Sequence, residues 1–260
     1  MVKEGGMNTI LLFGYHVSNN GCLGDIETAF QVQDSSGKNK YMACANPHAL
    51  VTASSDSIFA KALKAADVLL PDGSGIVLAA KILNLPLKEK VAGSDFFREC
   101  NKKAEYLGKF RYFFLGSTPT VLKLITERLN REYPHITVCG TYSPPFKTVF
   151  SDQDNTDMVK AVNDAKPDIL WVGMTAPKQE KWIYANRDKL NVPFIGAIGA
   201  VFDFYAGTKQ RSSDFWIKLG LEWLLRFLKE PTRLWERNLK STPIFLWWVL
   251  KEKLRNNTHK

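Results

Sequence analysis

The strongest constraint on this chain is an alternation, sustained through all but its final part, of short apolar runs with longer amphipathic stretches. The runs Ile10–Phe13, Tyr41–Ala45, Val68–Leu70, Tyr112–Leu115, Ile169–Gly173 and Phe194–Ile198 read as strands. Between them, Pro47–Ala66, Ser74–Leu83, Ser94–Leu107, Thr118–Tyr133, Asp154–Ala165 and Lys178–Leu190 carry helical patterns. Thr118–Tyr133 shows the logic: Pro119 opens the first turn, where its missing N–H costs nothing, and Val121, Leu122, Ile125 and Leu129 recur at helical spacing. Such alternation predicts an α/β fold, a Rossmann-like mainly parallel sheet with helices on both faces. No repeat or low-complexity segment interrupts it, and Tyr142–Asp154 (YSPPFKTVFSDQD) reads as a loop because Pro144 and Pro145 block regular structure.

In open α/β sheets, ligands bind beyond the carboxyl ends of the strands. Four segments stand there: Cys44–His48, Pro71–Gly75, Gly116–Pro119 and Gly173–Glu180. Each joins small residues to a helix start, where free backbone N–H groups attract phosphate and glycine permits close approach. Together they suggest a nucleotide or another phosphorylated ligand. No GxGxxG opens a helix after the first strand and no GxxxxGK[ST] is present, which disfavours dinucleotide and P-loop chemistry. None of these four segments carries an Asp-x-Asp pair for a divalent cation on a diphosphate, so helix dipoles and basic side chains would have to neutralise such a group.

Asp72, between Pro71 and Gly73 at a strand end, is a candidate general base; the alternative is that it caps the helix beginning near Ser74. Gln179 and Glu180 follow Pro177 at a helix start; Gln179 suits a hydrogen bond to a sugar or diphosphate, and the alternative is that both are simply favourable first-turn residues. Asp203 follows the last strand and suits a base, a ribose or a turn cap.

The charge is divided unevenly. From Lys209 to Lys260 the chain holds twelve Lys/Arg against five Asp/Glu and five of the seven tryptophans, whereas residues 1–208 are nearly neutral. We therefore divide the chain into a catalytic domain, 1–208, and a basic, Trp-rich helical appendage, 209–260. Aromatic, aliphatic and basic residues together favour an anionic membrane surface; helices packed on the body or a partner would show the same residues. Nucleic acid would explain the charge but not the tryptophans. The longest apolar run near the end, Ile244–Leu250, is far short of the ~20 residues of a spanning helix. No signal peptide is evident, and Cys22, Cys44, Cys100 and Cys139 lack ligand or pairing spacing, as expected of reduced thiols in a cytoplasmic protein. No metal site is expected.

The segments PDGSG (71–75), VAGSDFF (91–97), FFLGSTP (113–119), GTYSPPF (140–146), GMTAPKQEKW (173–182), GAIGAVFDFYAGTKQR (196–211) and GLEWLLRFLKEPTRLW (220–235), in that order, resemble the WecG/TagA/CpsF family, glycosyltransferase family 26. The resemblance implies transfer of an N-acetylmannosamine-, mannosaminuronate- or glucose-type sugar from a UDP-sugar to an undecaprenyl-diphosphate-linked saccharide in bacterial cell-surface polysaccharide assembly. It implies an inverting, metal-independent reaction without a cofactor, by an enzyme peripheral on the inner face of the plasma membrane. Carried over by position, Asp72 matches the proposed base, Asn46 and Gln179 active-site polar residues, Asp203 a residue near the uracil, and Arg226 and Arg233 basic groups reaching the diphosphates. The same motifs make Cys44, Gly73, Lys90, Gly93, Ser94, Asp95, Gly116, Tyr142, Gly173, Pro177, Lys178, Glu180 and Arg237 expected substrate contacts.

Three positions depart from the family pattern. Cys44 replaces a common Thr, Lys90 a common Arg, and Glu236 a usually basic residue beside Arg237. A nucleotide-binding oxidoreductase and a non-catalytic membrane adaptor of the same fold are the alternatives, and homo-oligomerisation is open.

Overall fold

The computed structural model describes residues 8–30, 39–209 and 240–258. A hairpin comes first, with β1 (Thr9–Leu12) antiparallel to β2 (Tyr15–Ser18). Six further strands, β3 (Lys40–Ala45), β4 (Val68–Pro71), β5 (Arg111–Gly116), β6 (Thr137–Tyr142), β7 (Ile169–Gly173) and β8 (Phe194–Ala197), form one sheet in the order β4-β3-β8-β7-β5-β6. Every neighbouring pair is parallel, so all six carboxyl ends share one edge.

The helices are α1 (Cys22–Phe30), α2 (Pro47–Ser55), α3 (Ser57–Lys64), α4 (Ser74–Ile82), α5 (Gly93–Leu107), α6 (Pro119–Glu132), α7 (Asp152–Ala165), α8 (Lys178–Asn186), α9 (Val201–Ala206) and α10 (Thr242–Thr258). They cover both faces, as expected. One apolar cluster joins Tyr41, Ala43, Phe113, Leu170 and Ile195 of the sheet to residues of α2, α3, α4, α7, α8 and α10. The other joins Met42, Tyr112, Phe114, Trp171 and Phe194 to α1, α5, α6 and α9. Strands buried on both faces need side chains that are apolar in both directions, which is why β7 reads Ile-Leu-Trp-Val-Gly without alternation. Trp171 is fully buried and meets Phe97, Tyr112 and Phe194 edge-on. Gly196 makes room for it: a Cβ there would lie 2.3 Å from the indole.

Several boundaries differ from the sequence expectation. Ile10–Phe13 belongs to the separate hairpin, not the alternating sheet, because Phe13 (φ 50°) and Gly14 (φ 79°) turn the chain straight back into β2. The expected helix Pro47–Ala66 is two helices. Asp56 adopts an extended conformation that ends α2, and its Oδ1 accepts from the Phe59 N–H at 2.9 Å to cap α3. Neither β6, α1 nor α9 was foreseen. β6 is an edge strand with no fully buried residue, so it lacks the apolar run that marks the others.

Of residues 209–260, the described part is Lys209 and the segment from Lys240 through α10. This helix lies on α2 and α4, burying Phe245 and Val249, and Phe13 packs edge-on to Phe245 and Trp248. Its other face exposes Ile244, Leu246, Trp247, Leu250 and Leu254. Among the described residues no helix is long and apolar enough to cross a membrane.

Candidate functional site

At the carboxyl edge, β3 and β4 end side by side, and their continuations carry Asn46 and Asp72. Asn46 caps α2: its Oδ1 accepts from the Ala49 N–H at 2.9 Å, and Pro47 follows in the first turn. Asp72 prolongs the sheet register, its N–H donating to the Ala45 carbonyl at 2.8 Å. The N-cap of α4 is Gly73 (φ 92°), not Asp72, so the carboxylate is not the cap that the alternative reading required. Both side chains are half-buried. Val91 donates to the Pro71 carbonyl at 3.0 Å, which brings the half-buried Lys90 and the start of α5 alongside the end of β4.

Cys44 lies one turn of strand below this rim. Burial pushes its thiol well above the ordinary range, and the nearby Asp72 and Glu180 carboxyls add to the effect, while the Gly93 N–H works against it. Gly93 is needed for this approach, since a Cβ there would come within 3.3 Å of the Cys44 Sγ. Ser94 and Asp95 follow in the first turn of α5, where Asp95 pairs with Arg98 at 3.2 Å.

The ends of β5 and β7 meet through glycines. Gly116 (φ 122°) sits so close to Gly173 that a Cβ would fall 2.5 Å from the Gly173 carbonyl oxygen. Gly173 in turn accommodates the Phe202 ring of α9, which would lie 2.3 Å from an added Cβ. The chain then turns through a cis Ala176–Pro177 bond, and Pro177 caps α8.

Gln179 and Glu180, expected at the rim, are buried, at 4% and 3% exposure. The Gln179 Oε1 accepts from the Met174 N–H at 3.2 Å, and its Nε2 donates to the Glu180 Oε1 at 2.8 Å. The amide lies near Gly199, where an added Cβ would come within 3.4 Å of Oε1, so it sits between the ends of β7 and β8. Glu180 Oε2 has no hydrogen-bond partner, nor does the buried Tyr41 hydroxyl, whose acidity is weakened by burial and by the neighbouring Glu180. Desolvation raises the Glu180 carboxyl to about 7 despite the Gln179 bond. Glu180 therefore keeps its proton well above the pH at which an ordinary glutamate loses it, beneath a rim that carries Asp72.

Other expected residues stand further off. Lys178 turns toward the loop after β6: its ammonium lies 3.9 Å over the Phe150 ring and donates to the Lys147 carbonyl, and burial lowers its pKa. Tyr142 ends β6, five strands from β4, which at ~4.8 Å per strand is about 24 Å from Asp72 along the edge. Asp203 is half-buried on α9, with Lys209 Nζ 3.8 Å from its carboxylate. Arg226, Arg233 and Arg237 lie outside the described residues. His48, given no role from sequence, ties α10 to this edge: its Nδ1 and the Ser241 hydroxyl are 2.8 Å apart.

The arrangement is a rim of glycine turns and helix starts over a buried carboxyl, with one carboxylate beside a carboxamide. Among the described residues no cluster of three or more His, Cys, Asp or Glu side chains is placed to hold a metal ion.

Comparison with known proteins agrees with this geometry. The family model described as Glycosyl transferase WecG/TagA/CpsF family matches residues 11–259. An N-acetylglucosaminyldiphosphoundecaprenol N-acetyl-beta-D-mannosaminyltransferase of Bacillus spizizenii is 31% identical over 226 residues, covering 87% of this chain and 83% of the relative. A protein of the same name from Staphylococcus aureus is 30% identical over 231 residues, 88% and 86% of the two chains. The match spans the rim, the buried acid beneath it and α10 alike: this chain belongs to the WecG/TagA/CpsF family of glycosyltransferases.

Proposed function

We propose that the chain transfers an N-acetylmannosamine-type sugar from a UDP-sugar to a saccharide carried on undecaprenyl diphosphate. Asp72 removes the proton from the acceptor hydroxyl as that oxygen attacks the anomeric carbon; the bond to UDP breaks, UDP leaves, and the configuration inverts. The observation that carries this reading is the pair of carboxyls at one edge: Asp72 half-buried at the end of β4, and Glu180 buried and held near 7. Two carboxyl groups kept in different environments can serve different roles at one pH. The β-linkage in the relatives' names fits inversion of an α-linked donor.

Asn46, with its oxygen engaged by α2, has its amide N–H groups to orient the acceptor or donor. Gln179 acts at one remove, bracing Met174 and Gly199. The starts of α4 and α5, with Lys90, Arg226, Arg233 and Arg237, counter the charge of the leaving diphosphate without a metal ion. Residues 1–208 form the catalytic body, and 209–260 the appendage that brings it to the cytoplasmic face of the membrane. The apolar face of α10, flanked by Lys251 and Arg255, supports that part of the reading.

The test is UDP release and product formation from UDP-N-acetylmannosamine with N-acetylglucosaminyl-diphosphoundecaprenol in vesicles. Release that requires both substrates is expected; its absence across a panel of UDP-sugars would end the reading.

A further inference from the structure

The chain between β6 and α7, residues 143–151, rises from the same carboxyl edge as the candidate site but at the far end of the sheet. Its base is fixed. Ser143 Oγ donates to the Ser117 carbonyl at 2.7 Å, Lys147 pairs with Asp154 at 2.8 Å, and Phe150 lies beneath the Lys178 ammonium at 3.9 Å. Pro144 and Pro145 stiffen the ascending limb. On this fixed base the apex holds its apolar side chains in water: Phe146 is 108% exposed and Val149 79%. A loop that needed only to connect two elements would gain nothing from them.

We propose that this loop is a second bilayer-contacting element, inserting Phe146 and Val149 among lipid headgroups while the acceptor is at Asp72. The inference rests on the membrane-borne acceptor of the proposed function. If the acceptor sugar is joined through a diphosphate to a lipid, its hydroxyl lies one sugar and one diphosphate above the headgroup plane. Asp72 must come down to that height, and the rest of the carboxyl edge comes with it. The sheet is only about 24 Å wide. One end of the edge has α10, anchored by His48 and Ser241 and exposing Ile244 and Trp247. The other end has this loop, its base held by the Lys147 and Lys178 contacts and its apex presenting Phe146 and Val149. Contacts at both ends set the tilt of the edge, which one amphipathic helix alone leaves free to rock.

The experiment compares the full chain with Phe146→Ser/Val149→Ser and with Phe146→Trp. Binding is read by co-sedimentation with vesicles of phosphatidylethanolamine and phosphatidylglycerol. Transfer is read with the undecaprenyl acceptor in those vesicles and with a water-soluble short-chain analogue. The double variant is expected to lose about tenfold in vesicle affinity and to raise the KM for the vesicle-borne acceptor by a similar factor. Its kcat and KM with the soluble analogue stay unchanged, which also shows that it folds, and Phe146→Trp keeps or gains vesicle affinity. Unchanged vesicle affinity in the double variant overturns the proposal. So does a change in oligomeric state by sedimentation velocity with vesicle affinity preserved, since the loop would then meet another copy of the chain. Failure of the wild type to use either acceptor would refute the proposed function instead, and vesicle affinity would still decide the loop.

Discussion

The two edges of the one parallel sheet are built to opposite specifications. At the amino edge, two arginines tie the connections together with side-chain hydrogen bonds. Arg187 donates to Asp67 Oδ2 at 2.6 Å, to the Ala65 carbonyl at 2.9 Å and to Asn39 Oδ1 at 2.8 Å. Asn39 returns a bond to the Arg187 carbonyl at 2.9 Å. Three strands along from β3, Arg111 reaches the carbonyls of Lys166 and Ala165, and its N–H meets Asp168. At the carboxyl edge the junctions are glycines in close approach, and a buried carboxyl keeps one oxygen without a partner. The difference teaches where this fold locks its connections together and where it leaves backbone open to close approach. Sites that break local rules are expected to be the working ones.

Three substitutions test that division, from the largest expected effect to the smallest. Asp72→Asn at the carboxyl edge should lower turnover by about two to four orders of magnitude while the melting temperature and donor affinity hold. Near-normal turnover would remove Asp72 from the mechanism. Arg187→Ala at the amino edge should do the reverse, costing about 3 kcal/mol of stability with kcat unchanged, because it strands the partly buried Asp67 carboxylate. A loss of turnover with stability intact would show that the amino edge also takes part in the chemistry.

Glu180→Gln bears on the boundary between the two. The folded chain holds this proton up to about 7, whereas an ordinary glutamate releases it near 4.5. Between those values the folded state binds more proton than the unfolded one, so wild-type stability falls as pH rises through the window and levels off above it. Glutamine carries no such penalty. The variant should therefore nearly match the wild type at pH 4.5 and exceed it by about 3 kcal/mol at pH 8, measured by urea unfolding. Curves that stay parallel from pH 4.5 to 8 would mean that Glu180 is ionised throughout.

Much of the scaffold was legible because parallel strands announce themselves. β7 and β8 read as unbroken apolar runs, and the turn after β4 carries Pro-Asp-Gly, which points to Asp72 directly. What escaped had a physical reason in each case. Asp56 stands in a stretch that looks helical on both sides, and only its extended backbone and its bond to Phe59 divide α2 from α3. Phe13 is a poor signal for a tight turn because few residues of its kind adopt a positive φ. Gln179 and Glu180 read as exposed polar residues of a first helical turn, but the turn after β7 directs them beneath Gly199 instead. Whether a polar residue at a helix start looks outward or inward is a property of the approach of the chain, not of its local composition. Tyr142 and Lys178 carry family motifs, yet strand order sets them toward the opposite end of the edge from Asp72.

The contact between His48 and Ser241 places the downstream flank of the basic segment on the body. Upstream, α9 is seated on Gly173 through Phe202, and Lys209 is drawn back to Asp203. Downstream, Ser241 is fastened beside Asn46. The described chain on either side of residues 210–239 is therefore held to the body at two points. If Arg226 and Arg233 take the diphosphate as proposed, those two fixed flanks make the encounter intramolecular, at an effective concentration set by chain length and not by protein concentration.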